Sequence, residues 1–190
     1  MDRDATLALF RRADALLEGH FKLSSGLHSG GYLQSALVLQ NPADAGALGV
    51  ALGAWAGSLR PDVVLSPALG GVIIGHEVAR ALGVRAIFAE RGDGTLMLRR
   101  GFVLTAGERV LIVEDVVTTG GSTRETIAVA NAAGAHVVGA VAIIDRSSGA
   151  AELSVPFHAL AQLSLPTYDP AACPLCAQRQ PVTKPGSRPS

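Results

Sequence analysis

The sequence predicts an α/β domain with a central, mostly parallel sheet flanked by helices. Three observations carry this reading. From Asp62 onward, short apolar runs ("DVVLSPALGG", "VRAIFAE", "RVLIVEDV", "HVVGAVAIIDR") recur at regular intervals. Helical segments ("VIIGHEVARALG", "STRETIAVANAAG") lie between them and stop at Gly83 and Gly134. Apolar strands alternating with helices imply βαβ units, and βαβ units imply a parallel sheet.

The elements before Asp62 read differently. Residues 4–18 carry Leu7, Phe10, Leu16 and Leu17 among charges, which predicts an amphipathic helix. "HFKLSSGLHSGGYLQ" (20–34) alternates and is broken by Ser and Gly, which predicts a hairpin or a strand–loop–strand unit. "NPADAGALGVALGAWAGSL" (41–59) starts with Pro42 and is rich in Ala and Leu, which predicts a helix weakened by its glycines. Further along, "RGDGTLMLRRG" reads as a polar, glycine-containing loop with a short apolar middle. After Thr167 the chain is rich in Pro, Ser and Arg and is expected to be loosely held. The expected organisation is one domain over 1–170, including an N-terminal helix and hairpin over 1–40, then a loosely ordered tail over 171–190.

Composition narrows the function classes. A chain of 190 residues suits one domain, and at this size about 70% of the unfolded surface becomes buried. With 48% hydrophobic and 17% charged residues, the chain reads as globular. Lys plus Arg and Asp plus Glu both total 16, so no general nucleic-acid or membrane-surface role is expected. The lysines are Lys22 and Lys184 alone; every other cation except histidine is an arginine, which grips anions but exchanges protons poorly. The first twenty residues mix charges and no apolar run reaches membrane-spanning length, so a cytoplasmic protein without a signal peptide is expected.

"VLIVEDVVTTGGSTRET" (110–126) carries the chemistry. In a parallel sheet, ligands bind beyond the carboxyl ends of the strands. Glu114 and Asp115 lie at such an end, followed by "TTGGS" and a helix starting near Ser122. Backbone N–H groups at that helix start, with hydroxyls from Thr118, Thr119, Ser122 and Thr123, would form an anion site. Gly120 and Gly121 let the backbone approach closely. The nucleoside-triphosphate loop G-x-x-x-x-G-K is absent, so the cradle fits a single terminal phosphate. The two acids fit sugar hydroxyls, and a divalent metal held through oxygen. Ser122-x-x-Glu125 is also a capping box, which needs no ligand.

This stretch resembles the motif by which type I phosphoribosyltransferases bind 5-phosphoribosyl-1-diphosphate (PRPP): an apolar strand, two acids, two apolar residues and a Thr-rich glycine loop. The resemblance implies that fold, with a small N-terminal hood. It gives Glu114 and Asp115 the ribose hydroxyls, and assigns PRPP contact along Val116, Val117, Thr118, Thr119, Gly120, Gly121, Ser122 and Thr123. "GHFKLSSGLHSGGYLQ" resembles the N-terminal signature of orotate phosphoribosyltransferases, and "AIIDRSSG" resembles their strand-end Asp-Arg. The likeness covers about residues 5–150, and "CPLC" is similar to the tail of a bacterial branch. It implies formation of orotidine 5-monophosphate and diphosphate from orotate and PRPP, in pyrimidine biosynthesis.

Orotate carries a carboxylate, which calls for a bidentate cation, and Arg146 at a strand end suits that role; the alternative is that Arg146 pairs with Asp145 or solvent. Ser25, Gly26, Tyr32 and Thr118 complete the expected orotate contacts, Tyr32 being equally readable as core. His28 reads as a solvated loop residue. "SPALGGV" fits the diphosphate loop, with backbone contacts from Ala68, Leu69 and Gly70 where the family often has a lysine, and a cis peptide near Ala68–Leu69 is implied by the resemblance. Segment 90–102 corresponds to the family's mobile loop, which reaches across a homodimer. It lacks the usual lysines and histidine and offers Arg91, Arg99 and Arg100. Charge stabilisation by these arginines, shared with Mg²⁺ carried by PRPP and water rather than by side-chain ligands, is therefore expected to drive catalysis. The two acids are expected to favour positive charge on the ribose ring.

Cys173-x-x-Cys176 is half of a zinc site; a dimer mate, His136 or His158 could complete it, and two reduced thiols are the simpler reading. The rival functions are a purine or xanthine phosphoribosyltransferase and a non-catalytic PRPP-binding regulator. Orotate and PRPP are the expected small-molecule partners, with no nucleic acid and no membrane.

Overall fold

The computed structural model describes residues 1–23 and 26–184. Helix α1 (Arg3–Arg12) is capped by the Asp2 carboxylate, which accepts from Ala5 N at 2.8 Å. It ends earlier than its periodicity predicts. Asp14 takes a φ of 50°, and Leu16 and Leu17 leave as strand β1 (Leu16–Lys22), paired with Leu33 and Tyr32 of β2 (His28–Leu33). A five-residue helix α2 (Ser35–Leu39), which the sequence did not announce, leads to α3 (Pro42–Ala56), capped by Asn41. The remainder runs β3 (Val63–Pro67), α4 (Gly70–Leu82), β4 (Arg85–Gly92), β5 (Thr95–Leu98), β6 (Arg109–Val117), α5 (Gly121–Ala132), β7 (His136–Asp145), β8 (Phe157–Gln162), β9 (Thr167–Tyr168) and α6 (Pro174–Ala177).

The main sheet has six strands in the order β5-β4-β3-β6-β7-β8, all parallel except for the antiparallel β5 edge. After β3 the chain steps to β4 on one side and later returns to the other side of β3 as β6. The strand order therefore reverses between β3 and β6, and the crevice at their carboxyl ends is where such sheets bind ligands. Alternate residues of β6 feed two cores. Leu111 and Val113 pack with α1, α3 and α4, while Val110 and Ile112 pack with Ile127 and Ala130 of α5.

Residues 90–102, read as a polar loop, contain a hairpin instead. Asp93 and Gly94 form a two-residue turn with φ of 49° and 87°, the left-handed pair that joins twisted antiparallel strands. Leu96 is buried in the α5-side core, with Leu98 and Phe102 beside it, so the apolar middle of this segment anchors it.

The segment after Thr167 is held against the rest of the molecule as far as residue 184, contrary to the loose tail expected. β9 joins β2 to complete a separate three-stranded sheet, β1-β2-β9. Thr183 N donates to His20 O and Lys22 N to Thr183 O, each at 2.8 Å. Cys173 is buried, and Leu175 lies over Gly30.

The glycines of α3, which weaken it as an isolated helix, set its distance from α4. A Cβ on Gly49 would stand 2.7 Å from the backbone carbonyl carbon of Glu77. Gly49→Ala is therefore expected to lower stability by about 1–3 kcal/mol through overpacking, despite alanine's better helix propensity. Thermal unfolding checks this: Tm should fall by about 2–10 °C, and an unchanged or raised Tm would show that the two helices separate freely.

Candidate active site

Two loops meet at the reversal point between β3 and β6. The first follows β3 and contains a cis peptide between Ala68 and Leu69, as the family resemblance implied. The second follows β6 and runs into α5. They approach so closely that a Cβ on Gly70 would stand 2.6 Å from Asp115 Oδ1, and one on Gly71 would stand 2.9 Å from Val113 O. At Gly71 the obstacle is backbone, so glycine is required there; at Gly70 it is the Asp115 carboxylate, which a side chain would have to turn aside. Leu69 is exposed, and a cavity of about 400 Å³ opens between Gln34, Leu69, Gly70, Ile73 and Asp115.

Glu114 and Asp115 are adjacent on one strand and have different surroundings. Asp115 is half-buried and projects to Gly70. Glu114 is buried on the α5 side, where Ser122 Oγ donates to its Oε2 at 3.2 Å. Burial, reinforced by the neighbouring Asp115 charge, pushes the Glu114 carboxyl up to about 9, with the Ser122 bond opposing this. Glu114 therefore keeps its proton near neutral pH. The two acids therefore differ: burial disfavours ionisation of Glu114, and Asp115 is the one that borders the crevice.

The loop from Thr118 to Gly121 is built as a cradle. Thr118 and Thr119 are exposed, and Gly120, at the helix N-cap, has a φ of 76°. A Cβ on Gly120 would stand 2.9 Å from both Arg124 Nη1 and Leu153 Cδ2. Arg124, which the motif reading passed over, braces the loop by donating from Nη1 to Thr119 O at 3.0 Å and to Glu152 O at 3.4 Å. Its only sequence signal was its place one turn beyond the cradle. The capping box does not form. Gly120 caps α5 without a side-chain bond, Ser122 turns to Glu114, and Glu125 pairs with Arg91 at 2.9 Å. The Val117 side chain is buried and that of Val116 packs on the core, so neither side chain faces the crevice. Thr123 is also buried, its hydroxyl without a partner among the described residues.

Arg146 borders the same loop. A cavity of about 470 Å³ is lined by Thr118, Thr119, Arg146, Ser147, Leu165 and Thr167. Asp145 is occupied by Ser147, accepting from its N at 2.8 Å and its Oγ at 2.6 Å, so it does not pair with Arg146. Arg146 Nε is buried with no hydrogen-bond partner among the described residues, and desolvation lowers the guanidinium pKa. Of the other expected base contacts, Tyr32 packs on Phe21 with ring centroids 5.9 Å apart, and Gly26 has a φ of 88° with open space where a side chain would start. Ser25 lies outside the described residues.

The arginines of 90–102 divide by partner. Arg91 pairs with Glu125, and Arg100 makes a two-point pair with Glu90 at 2.7 and 2.8 Å while lying over the Phe88 ring. Arg99 is exposed and forms no ion pair among the described residues. Two histidines also stand otherwise than expected. His28 is buried rather than solvated, and His20 and His28, not His136 or His158, approach Cys173 and Cys176.

The Glu114 carboxyl makes stability depend on pH. Its folded pKa lies above its unfolded value, so the unfolded chain ionises first. This contribution is fully present below about pH 4.5 and is lost as pH rises to about 9. Glu114→Gln, which mimics the protonated form, should remove that slope. Tm measured from pH 5 to 9 should fall less in the variant than in the native chain, and parallel curves would overturn the burial argument.

The comparisons agree with this geometry. The family model described as a phosphoribosyl transferase domain matches residues 56–158, which contain both loops and Arg146. The orotate phosphoribosyltransferase of Erythrobacter litoralis is 54% identical over 99% of each chain. That of Heliobacterium modesticaldum is 50% identical over 99% of this chain and all of its own. Among solved structures, orotate phosphoribosyltransferase from Aeropyrum pernix superposes with a TM-score of 0.69 at 28% identity, covering 82% of this chain and 92% of that one. At such identity over nearly its whole length, this chain belongs to the orotate phosphoribosyltransferases, within the type I phosphoribosyltransferase fold.

Proposed function

We propose that this protein transfers the 5-phosphoribosyl group of PRPP to a ring nitrogen of orotate, releasing diphosphate and forming orotidine 5-monophosphate for pyrimidine synthesis. The observation that carries the reading is the desolvated guanidinium of Arg146, whose buried Nε lacks a partner, in one cavity with the Thr118–Thr119 cradle. A partly buried guanidinium with an unpartnered Nε is costly, and a planar carboxylate resolves it with two parallel bonds. A purine has no such carboxylate, which disfavours a purine or xanthine substrate. A purely regulatory PRPP-binding protein would have no use for a base-side cation.

The parts divide the work as follows. The cradle from Thr118 to Gly121 and the first turn of α5 receive the 5-phosphate through backbone N–H groups and hydroxyls. The ribose hydroxyls lie against Glu114 and Asp115, and the carboxylate of Asp115 stabilises positive charge developing on the ring. Gly70 and its neighbours bring backbone amides to the diphosphate. Mg²⁺, when bound, would neutralise the leaving diphosphate, and the exposed edge of Asp115 is an oxygen donor suited to holding it through water. The chain's loop cations are arginines, so they hold charge rather than move protons. We further infer a homodimer in the cytoplasm, in which the 90–102 segment serves the partner's site; the free Cys173 and Cys176 thiols suit a reducing compartment.

A single assay tests the reading. Incubation with PRPP and Mg²⁺ should consume orotate and leave adenine, guanine, hypoxanthine and xanthine unchanged. Arg146→Ala should raise the KM for orotate by about 10- to 100-fold with little change for PRPP, since a charge-assisted pair contributes about 1.5–3 kcal/mol. Equal losses for both substrates would place Arg146 elsewhere.

The unpaired loop cation gives a second test. Arg99→Ala should lower kcat by about 10²-fold, the scale of losing one charge-stabilising donor. Arg91→Ala and Arg100→Ala should cost less, because those side chains already serve Glu125 and Glu90. Near-normal turnover in all three variants would remove this segment from the reaction.

A further inference from the structure

Far from the crevice in sequence, four metal-ligating side chains converge under the β1–β2 hairpin. His20 and His28 come from the two strands, and Cys173 and Cys176 from the turn that opens α6. Their ligand atoms all lie within 4.8 Å of one another, and His20, His28 and Cys173 are buried. We propose that these four residues bind one zinc ion in a closed tetrahedral site that fastens the C-terminal segment to the hairpin.

The distances fit that chemistry. With zinc–sulfur bonds of about 2.3 Å and zinc–nitrogen bonds of about 2.0–2.1 Å, a tetrahedron has nitrogen–sulfur edges of about 3.6 Å. The structure has Cys173 Sγ at 3.6 Å and Cys176 Sγ at 3.8 Å from His20 Nε2, and Cys176 Sγ at 3.3 Å from His28 Nδ1. The nitrogen–nitrogen edge, 2.8 Å, is shorter than the roughly 3.3 Å of a zinc tetrahedron and opens as the ion enters. Two sulfurs and two imidazole nitrogens in this shape select zinc over magnesium or calcium, which take oxygen.

The surroundings orient the ligands. His20 Nδ1 lies 2.9 Å from the carbonyl of Gln180. If Nδ1 carries the proton and donates it there, the Nε2 lone pair points into the cluster, the arrangement that outer-shell carbonyls impose on metal-binding histidines. Pro174 starts the short helix, and Ala177 N donates to Cys173 O at 3.1 Å, closing the turn that puts both sulfurs on one side. The His20 carbonyl accepts from Thr183 N and the Lys22 amide donates to Thr183 O, which holds the tail along the strand that carries His20. Four protein ligands leave no open position, so the site is structural rather than catalytic. It lies on the strands that lead into residues 23–27, the base-side signature, and so ties the tail to the hairpin that carries it.

The full-length protein, purified without chelators, is tested by elemental analysis and by cobalt. About one zinc per chain is expected. After stripping, Co²⁺ should give intense tetrahedral d–d bands and thiolate-to-metal charge transfer, and zinc should quench both. Cys173→Ser and His28→Ala should each lower retained zinc at least tenfold. Amide exchange over 16–22, 28–33 and 174–184 should quicken on stripping and slow on zinc return, while the main sheet is unchanged. A stripped native chain, folded by circular dichroism, that binds Co²⁺ only in weak octahedral fashion would overturn the proposal. So would a metal-free Cys173–Cys176 disulfide in protein purified without oxidant, or two freely titrating thiols with no zinc.

Discussion

The close approach of the loop after β3 to the end of β6 is the constraint on which the rest depends. A sheet that reverses its strand order there leaves a crevice, but a crevice binds a phosphorylated sugar only if its walls deliver backbone groups and carboxylates to the same small volume. Gly70 and Gly71 make that possible. A Cβ at either position would meet Asp115 or the carbonyl of Val113 at under 3 Å. Strand alternation does the rest, turning Glu114 beneath α5 and Asp115 toward α4.

The site holds two groups that a stability-minded sequence would avoid. Glu114 is buried with its ionisation suppressed, and Arg146 is desolvated without a partner at Nε. At the opposite end of the sheet Arg85 makes a bidentate pair with Glu108, and Arg109 is satisfied by the carbonyls of Leu59 and Arg60. Groups such as Glu114 and Arg146 at the carboxyl ends of the strands favour the proposal of a binding site there.

Much of this was legible in the sequence because it rests on local rules. Continuous apolar runs gave the parallel strands, Gly83 gave the stop of α4, and the acid pair before "TTGGS" gave the cradle. What was illegible rests on non-local contact or on competing signals. Leu16 and Leu17 satisfy helical periodicity, yet pairing with β2 draws them into a strand. The Asp93-Gly94 pair is a hairpin signal, but the charged residues on both sides of it also suit a polar loop. Ser122 and Glu125 obey the capping-box spacing, but a buried carboxyl and a hairpin arginine are stronger partners than the helix's own amides. His20 and His28 gave no sign of Cys173, because more than 140 residues separate them and the contacts that bring the tail home, β9 pairing and the Thr183 backbone bonds, are non-local.

The proton on Glu114 bears on how a chain so poor in proton-transferring cations could run this reaction. Departure of diphosphate needs positive charge near the leaving group and tolerance of positive charge on the sugar, and neither demand requires a proton shuttle. In the proposed reaction the arginines answer the first demand, since their charge is fixed. Asp115, exposed at its edge, answers the second. With the 5-phosphate at the start of α5, as proposed, two adjacent ionised carboxylates would repel it. Burial that disfavours ionisation of Glu114 lessens that repulsion. The same burial that costs the free protein stability therefore lets an acid pair and a phosphate site share one strand end.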